Sequence, residues 1–423
     1  MITTSTCAGD STAICLCCPQ TAIGTKTFPG LVQQFLEPVD FMPVSLGTAK
    51  AAAGKLVYGT YDLVEHPTGG CDRLPVIIAQ GSARGPVFWL TAGIHGNEHA
   101  GLQVLHLLIP RELARKLRGT IVCIPALNPA GLRTMKREAY YHHGDPNRLF
   151  PDGKARDPHD PDLEPPSVLE AAYSRLFEEM RSTANYWIDL HNTWTGSVSM
   201  VYRDRVYYRD QGTPAQIKAA RLEAENLDRQ IGEICEAYGH SVVNEMGCSG
   251  YFDDKLHRST TGAAVNVARI PALTMELGTG HMPDPKIVQA CRTGLVNVLK
   301  WAGMLEGNHE AITGITVVKP GYACRRRGTP RVSVPCIVRH LVEPGDLVKQ
   351  GDPIAEVRDI WGRPIAEKVL KSDTDGWIMG RTHGIVHYPG TEVTGMGVPD
   401  DLPTVLPYPA GYCPGSAQAR AER

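Results

Sequence analysis

Four side chains able to bind a metal ion or move a proton follow apolar runs that are typical of buried strands. The run FWLTAGI leads into His95 and Glu98, WIDL leads into His191, and ALTM leads into Glu276. Ligands of α/β sheets bind at the carboxyl ends of strands, and a catalytic zinc site combines three protein ligands with one open position. We therefore expect His95, Glu98 and His191 to bind one metal ion. Asp189, two residues before His191, is a candidate outer partner of that imidazole.

Each group also has an ordinary structural explanation when it is taken alone. A histidine at a strand end, such as His191, is commonly a hydrogen-bonded structural residue, and the carboxylate of Glu276 could cap a helix. Core packing gives no reason for three buried strands to end in such groups. The coincidence of the three strand ends is what favours a metal site.

The letters HGNEH also match H-x-x-E-H, a motif in which two histidines on one helix bind zinc and the glutamate is the base. That arrangement requires a helix through His95 and His99. Gly96 and Asn97 are poor helix formers, and the preceding residues are typical of a strand that reaches His95. We therefore expect His99 to lie in the first turn of the next helix, beside the site.

A loop rich in arginine, NPAGLRTMKREAYYHHGDPNRLFPDG, lies between the first two strand ends. Arg133, Arg137 and Arg148 are candidates for anion binding, because a guanidinium offers two parallel donors to a carboxylate and a positive charge to an oxyanion. Basic loop residues are usually only solvated. Asn147 and the nearby proline and aromatic residues indicate a shaped turn, which favours Arg148.

The elements that position these groups alternate between strands and helices. KLVYGTYDLVEHP, RLPVIIAQGS and PVFWLTAGI are typical of strands. EHAGLQVLHLLIPRELARKL has apolar residues at helical spacing, with a kink or a break predicted at Pro110, and GTIVCIPALNPAG is typical of a buried strand. This succession predicts an α/β fold, with a mostly parallel or mixed twisted sheet and helices on both faces.

The pattern changes near residue 310, after the helical stretch PKIVQACRTGLVNVLKWAGML. Beyond it, short alternating runs separated by Gly-Asp and Pro-Gly turns predict a small β-rich domain. We expect an N-terminal extension over residues 1–30, a catalytic α/β domain over 31–309 and a C-terminal β-rich domain over 310–423.

The composition is that of an ordinary soluble globular protein, with 42% hydrophobic and 21% charged residues. A formal net charge of -2 provides no basic surface for nucleic acid or an anionic membrane. No apolar run approaches the ~20 residues needed to cross a bilayer. We therefore expect a small-molecule partner, with no nucleic acid and no membrane, and leave homo-oligomerisation open.

The first residues, MITTSTCAGDSTAICLCC, lack the basic start and long apolar centre of a secretory signal, which predicts a cytoplasmic protein. The 12 cysteines are mostly isolated, as expected for reduced thiols. Cys15, Cys17 and Cys18 cluster, and Cys7 could complete a metal site with them. No second cysteine pair follows at zinc-finger spacing, which favours a loosely packed extension.

Five motifs, in their order and spacing, resemble the succinylglutamate desuccinylase and aspartoacylase family, a branch of the zinc carboxypeptidase superfamily. They are H-x-x-E at a strand-to-helix turn, N-P-x-[AG] with an arginine nine residues after the asparagine, D-x-N-R-x-F-P, D-L-H and T-x-E-L-G. The resemblance covers roughly residues 80 to 300. The tail, particularly EPGDLVKQGDPIAEV, resembles the C-terminal β domain of these enzymes.

The resemblance implies a zinc enzyme. His95, Glu98 and His191 would bind one Zn²⁺ per subunit, and Glu276 would act as general base and acid. The implied reaction is hydrolysis of the amide bond of an N-acyl amino acid or a similar small carboxylate-bearing amide. A metallocarboxypeptidase acting on peptide C-termini would use the same groups. Retention of every expected zinc and base residue counts against a catalytically silent binding protein.

In the intervening loop, the resemblance implies that Arg137 stabilises the oxyanion and that Asn147 with Arg148 holds the substrate carboxylate. Pro146 departs from the leucine common in these enzymes, and it restricts the backbone of Asp145 while the Asn-Arg pair stays intact. The resemblance also suggests that the C-terminal β domain covers the mouth of the active site and restricts substrate size. The family offers no role for the N-terminal extension.

Overall fold

The computed structural model describes residues 44–154, 164–194, 196–278, 280–410 and 412. The predicted N-terminal extension and its cysteine cluster lie outside these residues. Within them, no helix is both long enough and apolar enough to cross a membrane.

Strands dominate the described chain. Those before residue 310 are β1 (Ser45–Leu46), β2 (Ala49–Lys50), β3 (Lys55–Glu65), β4 (Cys71–Gln80), β5 (Ala83–Ala92), β6 (Arg118–Ile124), β7 (Tyr186–His191), β8 (Met200–Arg203), β9 (Val206–Tyr208), β10 (Ser241–Asn244) and β11 (Ala272–Glu276). Those after it are β12 (Cys324–Gly328), β13 (Cys336–His340), β14 (Leu347–Val348), β15 (Pro353–Arg358), β16 (Pro364–Lys371), β17 (Gly376–Arg381), β18 (Val386–His387), β19 (Thr394–Pro399) and β20 (Val405–Pro407).

Several of the helices begin at a residue whose side chain caps the helix N-terminus. They are α1 (Ala100–Leu108), α2 (Leu113–Lys116), α3 (Pro129–Thr134), α4 (Val168–Thr183), α5 (Pro214–Tyr238), α6 (Cys248–Asp253), α7 (Thr260–Ala263) and α8 (Pro285–Trp301). Ser167 and Thr213 form capping boxes before α4 and α5. Helix α1 ends two residues before Pro110, which confirms the predicted break.

The main sheet has twelve strands in the order β14-β17-β19-β12-β10-β8-β11-β7-β5-β6-β4-β3. Strands β6, β5, β7 and β11 are parallel to their neighbours within this group, whereas β4 is antiparallel to both β3 and β6. Residues 87–92 of β5 are nearly all apolar, as expected of a central strand covered on both faces. The predicted α/β fold with a mixed twisted sheet is therefore confirmed.

Helices cover both faces of this sheet. Gly101 of α1 packs so closely on β7 that a Cβ on this glycine would lie 2.8 Å from the Cβ of Leu190. On the other face, the hydroxyl of Thr260 in α7 donates to Asp189 at 2.6 Å. Successive side chains of a strand point to opposite faces, so α1 and α7 lie on opposite sides of β7. His191 shares the face of Asp189.

The C-terminal strands divide between two sheets. Strands β16, β15, β13 and β18 form a separate antiparallel sheet. Strands β12, β19, β17 and β14 extend the main sheet, because β12 pairs in parallel with β10 through Arg325 and Asn244. The predicted β-rich character beyond residue 310 is confirmed. The predicted domain limits at residues 30 and 309 stay predictions.

A tryptophan joins the loop after β7 to the C-terminal strands. Trp194, three residues after His191, packs against Gly380 of β17 and Gly395 of β19. A Cβ on Gly395 would lie 2.0 Å from Cζ3 of the indole, and one on Gly380 would lie 3.0 Å from its Cε3. Glycine at position 395 therefore leaves the room in which the ring packs.

Replacing Gly395 by alanine should lower stability by about 1 to 3 kcal/mol, because the added methyl group overlaps the indole of Trp194. Thermal denaturation and tryptophan fluorescence would measure the loss and the displaced ring. Gly70→Ala is the matched control, since a Cβ there would come no closer than 3.9 Å to its nearest neighbour. Equal midpoints for the two variants would contradict the packing argument.

Candidate active site

The HGNEH segment forms a tight turn between β5 and α1. The backbone N–H of Glu98 donates to the carbonyl of His95 at 3.1 Å. A Cβ on Gly96 would lie 2.0 Å from the backbone of α3, so the turn requires glycine there. Helix α1 begins only at Ala100, and the Nε2 of His99 lies 3.0 Å from the carbonyl of Gly96. The helix through residues 95–99 that the H-x-x-E-H arrangement needs is not formed.

Three predicted metal ligands converge on one point. The Nδ1 atoms of His95 and His191 lie 2.8 Å and 3.1 Å from the two carboxylate oxygens of Glu98. One potential ligand atom from each residue lies within 4.8 Å of the others. All three side chains are buried. The structure therefore brings together residues that are 93 positions apart in the chain.

Each imidazole also faces a second carboxylate through its outer nitrogen. The Nε2 of His95 lies 2.9 Å from Asp145, and the Nε2 of His191 lies 2.8 Å from Asp189. Asp189 is fully buried and accepts two threonine hydroxyls at 2.6 Å. An Nε2–H that donates outward leaves the Nδ1 lone pair pointing inward, towards a cation. The predicted contact between Asp189 and His191 is confirmed.

This donor set suits a divalent metal ion. Two imidazoles and one carboxylate are a known ligand set of catalytic zinc. Burial alone would raise the pKa of Glu98, but the charges of His95 and His191 and their hydrogen bonds hold it well below its ordinary value. Glu98 therefore stays ionised, as a metal ligand must.

Asn192 fixes the site from the loop after β7. Its backbone N–H donates to the Glu98 carboxylate at 2.9 Å, and its side-chain oxygen accepts from the N–H of Ala100 at 3.1 Å. The side-chain nitrogen donates to the carbonyls of Gly278 and Gly280 at 3.1 Å and 2.7 Å. One buried amide thus connects β7, the start of α1 and the loop after β11.

Glu276 lies beside the ligand cluster, and one of its carboxylate oxygens makes no hydrogen bond to the described residues. The register of β11 against β7 pairs Glu276 with His191. Within the described residues, its Oε2 atom is buried and has no hydrogen-bond partner. Burial, together with the negative charge of Glu98, raises the pKa of Glu276 to about 7, against the lowering effect of His191. A carboxyl group of that pKa can both accept and donate a proton near neutral pH.

The spacing of the N-P-x-[AG] motif and Arg137 has a structural cause. Asn128 caps α3 by accepting from the N–H of Gly131 at 2.9 Å, and its amide nitrogen donates to the carbonyl of Arg137 at 3.2 Å. The Arg137 guanidinium donates to Asp145 at 2.6 Å and to Glu98 at 3.3 Å. This half-exposed side chain therefore lies at the rim of the ligand cluster.

The D-x-N-R segment is a short 3-10 turn over Pro146–Arg148. Asp145 is extended, as a residue before proline is expected to be, and its carboxylate accepts the N–H of Asn147 at 2.8 Å. The side-chain oxygen of Asn147 accepts the N–H of Thr260 at 2.8 Å. The side chain of Asn147 is therefore fixed to the start of α7 through its oxygen.

Arg148 is held by two backbone carbonyl groups. Its Nε donates to the carbonyl of Asp254 and one terminal nitrogen donates to the carbonyl of Asn147, both at 2.7 Å. Burial lowers the pKa of Arg148, and the charge of Arg326 lowers it further. By contrast, Arg133 pairs with the buried carboxylate of Asp72, so the structure does not place this anion-binding candidate in the site.

Several residues of this region were not found from the sequence. Asp145 is the first residue of the D-x-N-R motif, and Asn192 directly follows D-L-H. These positions are the sequence signals that could have indicated a part in the site. Glu245 follows β10 and pairs with Arg326 of β12, whose Nε lies 2.6 Å from its carboxylate. Nothing in the sequence around either residue indicates this contact.

The mixed sheet and the buried His-Glu-His cluster define an α/β protein with a candidate catalytic metal site. The model of the succinylglutamate desuccinylase/aspartoacylase catalytic domain matches residues 84–302. The chain belongs to this family, which consists of deacylating hydrolases.

Individual relatives agree with this assignment. The N-alpha-acetyl-L-2,4-diaminobutyric acid deacetylase of Halomonas elongata is 24% identical over 317 residues, which cover 74% of this chain and 82% of that protein. The product-bound ectoine utilization protein of Ruegeria pomeroyi has the same fold, with 18% identity, a TM-score of 0.61, and coverage of 81% of this chain and 95% of that one. The structure of a succinylglutamate desuccinylase/aspartoacylase from Rhodobacter sphaeroides has 18% sequence identity and a TM-score of 0.59. The match covers 82% of this chain and 96% of that one.

Replacing Glu276 by glutamine should stabilise the metal-free protein in a pH-dependent way. Because the folded-state pKa is raised, the ionised carboxylate destabilises the fold increasingly as pH rises from about 4.5 to about 7. The gain should therefore be absent near pH 4 and reach up to about 3 kcal/mol above pH 7. Melting curves of chelator-treated protein measure it, with the exposed Glu306→Gln as control. A pH-independent difference would contradict the assignment of the raised pKa to Glu276.

Proposed function

We propose that the protein is a zinc-dependent deacylase that hydrolyses the amide bond of an N-acyl amino acid or a similar small carboxylate-bearing amide. The observation that supports it most directly is the convergence of His95, Glu98 and His191 beside the unpaired carboxylate oxygen of Glu276. The deacetylase relative and the family agree with amide hydrolysis.

His95, Glu98 and His191 hold the metal ion in this proposal. A zinc ion bound by these residues would supply Lewis acidity, which would polarise the scissile carbonyl and lower the pKa of a water molecule. Asp145 and Asp189 keep the two imidazoles oriented through their Nε2 atoms. Glu276 accepts the proton of the attacking water on its free Oε2 atom and passes that proton to the leaving nitrogen.

Arginines at the rim bind the charged parts of the substrate. Arg137, half-exposed beside Glu98, donates to the amide oxygen as that atom becomes negative. The amide nitrogen of Asn147 and the Nη2 atom of Arg148 bind the substrate carboxylate.

Metal binding separates the two candidate histidines of the HGNEH turn. His191→Ala removes a ligand and should lose the stoichiometric zinc, whereas His99→Ala should keep one zinc per chain because its imidazole faces a backbone carbonyl. Elemental analysis of dialysed protein and competition with a chromogenic chelator measure both. Zinc loss in His99→Ala with retention in His191→Ala would return the metal site to the H-x-x-E-H arrangement.

The reaction is tested with a panel of N-acyl amino acids, with release of the free acid as the readout. The wild type should turn over members of the panel, and Glu276→Gln should lose turnover by about 10²-fold or more while it retains zinc. Peptides with free C-termini form the comparison panel. Release of C-terminal amino acids without deacylation would favour the metallocarboxypeptidase, and normal turnover by Glu276→Gln would remove this residue from the mechanism.

A further inference from the structure

An ion pair lies on the same sheet as Glu276, with strand β8 between them, and has no part in the proposed proton transfer. Glu245, directly after β10, is buried, and its carboxylate lies 2.6 Å from the Nε of Arg326 in β12. The guanidinium carbon of Arg326 lies 5.1 Å from the centre of the Tyr202 ring. Arg326 thus has a carboxylate and an aromatic face as fixed partners.

Strand register places this pair on the face of the candidate site. Met200 of β8 is the partner of Glu276, so Tyr202, two residues on, shares the face of Glu276. Asn244 pairs with Arg203 and with Arg325. Arg203 points away from the face of Tyr202, and so do Asn244 and Arg325. Glu245 directly follows Asn244 and Arg326 directly follows Arg325, so both point to the same side as Tyr202.

The pair interacts electrostatically with Arg148, which is proposed to bind the substrate carboxylate. The charges of Arg326 and Glu245 both act on Arg148, and that of Arg326 also acts on Glu276. The side chains of Arg148 and Arg326 are 24% and 23% exposed, whereas that of Glu245 is only 8% exposed. In the inference that follows, the amino-acid side chain of a substrate held by Arg148 lies on the side of this pair.

We propose that Glu245, by pairing with Arg326, makes the site select N-acyl amino acids whose side chain is uncharged and reject those with a second carboxylate. The inference rests on the proposed function. The charge of Arg326 is already compensated, so a second carboxylate would lose its hydration without gaining a net positive partner. Glu245 itself repels it. Asp204, whose carboxyl group interacts electrostatically with Glu245 and Arg326, is either neutral or negative, so it does not reverse this repulsion.

The test uses two substrates that differ only in charge, N-acetylglutamine and N-acetylglutamate, with zinc-loaded full-length protein. The wild type should prefer the glutamine compound at least tenfold in kcat/KM. Glu245→Gln should reduce this preference about tenfold or more, mainly through a lower KM for N-acetylglutamate, because one like charge at close range is removed and Arg326 is freed.

Two further variants identify the cause. The double variant Glu245→Gln/Arg326→Gln lacks the freed cation and should lose most of the gain on N-acetylglutamate. Arg325→Gln is the matched control, since Arg325 is the neighbour of Arg326 on the opposite face and lies 3.9 Å from Asp400. It should keep the wild-type preference. Melting curves confirm that each variant is folded.

The outcomes separate this inference from the proposed function. If the wild type deacylates but Glu245→Gln keeps its preference, or if the wild type prefers N-acetylglutamate, the inference is overturned. If neither compound is hydrolysed, the proposed function fails for them, and calorimetric titration with glutamine and glutamate decides the selectivity. A preference for glutamine that weakens in Glu245→Gln supports it. Equal affinity, including no binding of either, overturns it.

Discussion

The buried carboxylate of Glu98 is the group on which the candidate site depends. It lies within hydrogen-bond distance of two imidazoles, and it accepts hydrogen bonds from the backbone N–H of Asn192 and the guanidinium of Arg137. A negative charge in that position is stable only because these partners replace the water it has lost. The contacts join the turn after β5 to the end of β7, so the site and the central parallel strands depend on one another.

The carboxylates behind the imidazoles extend this dependence outward. Asp189 is held by Thr91 of β5 and Thr260 of α7, and the indole N–H of Trp187 donates to that same Thr91 hydroxyl at 2.7 Å. Asp145 lies in a loop and is held partly by Arg137. One imidazole is therefore oriented by the rigid core and the other by a loop that also carries the proposed substrate contacts.

The continuation of the sheet beyond residue 310 places part of the C-terminal region in the same sheet as the candidate site. Strand β12 carries Arg326 to the face of Glu276, and the glycines of β17 and β19 accept Trp194 from the loop after His191. The prediction that the C-terminal domain covers the mouth of the active site remains a prediction. The structure shows that β12 belongs to the sheet that carries Glu276, and that the side chain of Arg326 lies on the same face as that residue.

The amino-acid sequence by itself determined those features that depend on a short stretch of the chain. Strand-end residues such as His95, His191 and Glu276 follow from apolar runs, and the break before Pro110 follows from its missing N–H. Only the tertiary structure decided the partners of the arginines: Arg133 pairs with Asp72, whereas Arg326 pairs with Glu245. The physical reason is that these contacts depend on the register between strands and loops far apart in the chain, and no local period or motif records that register.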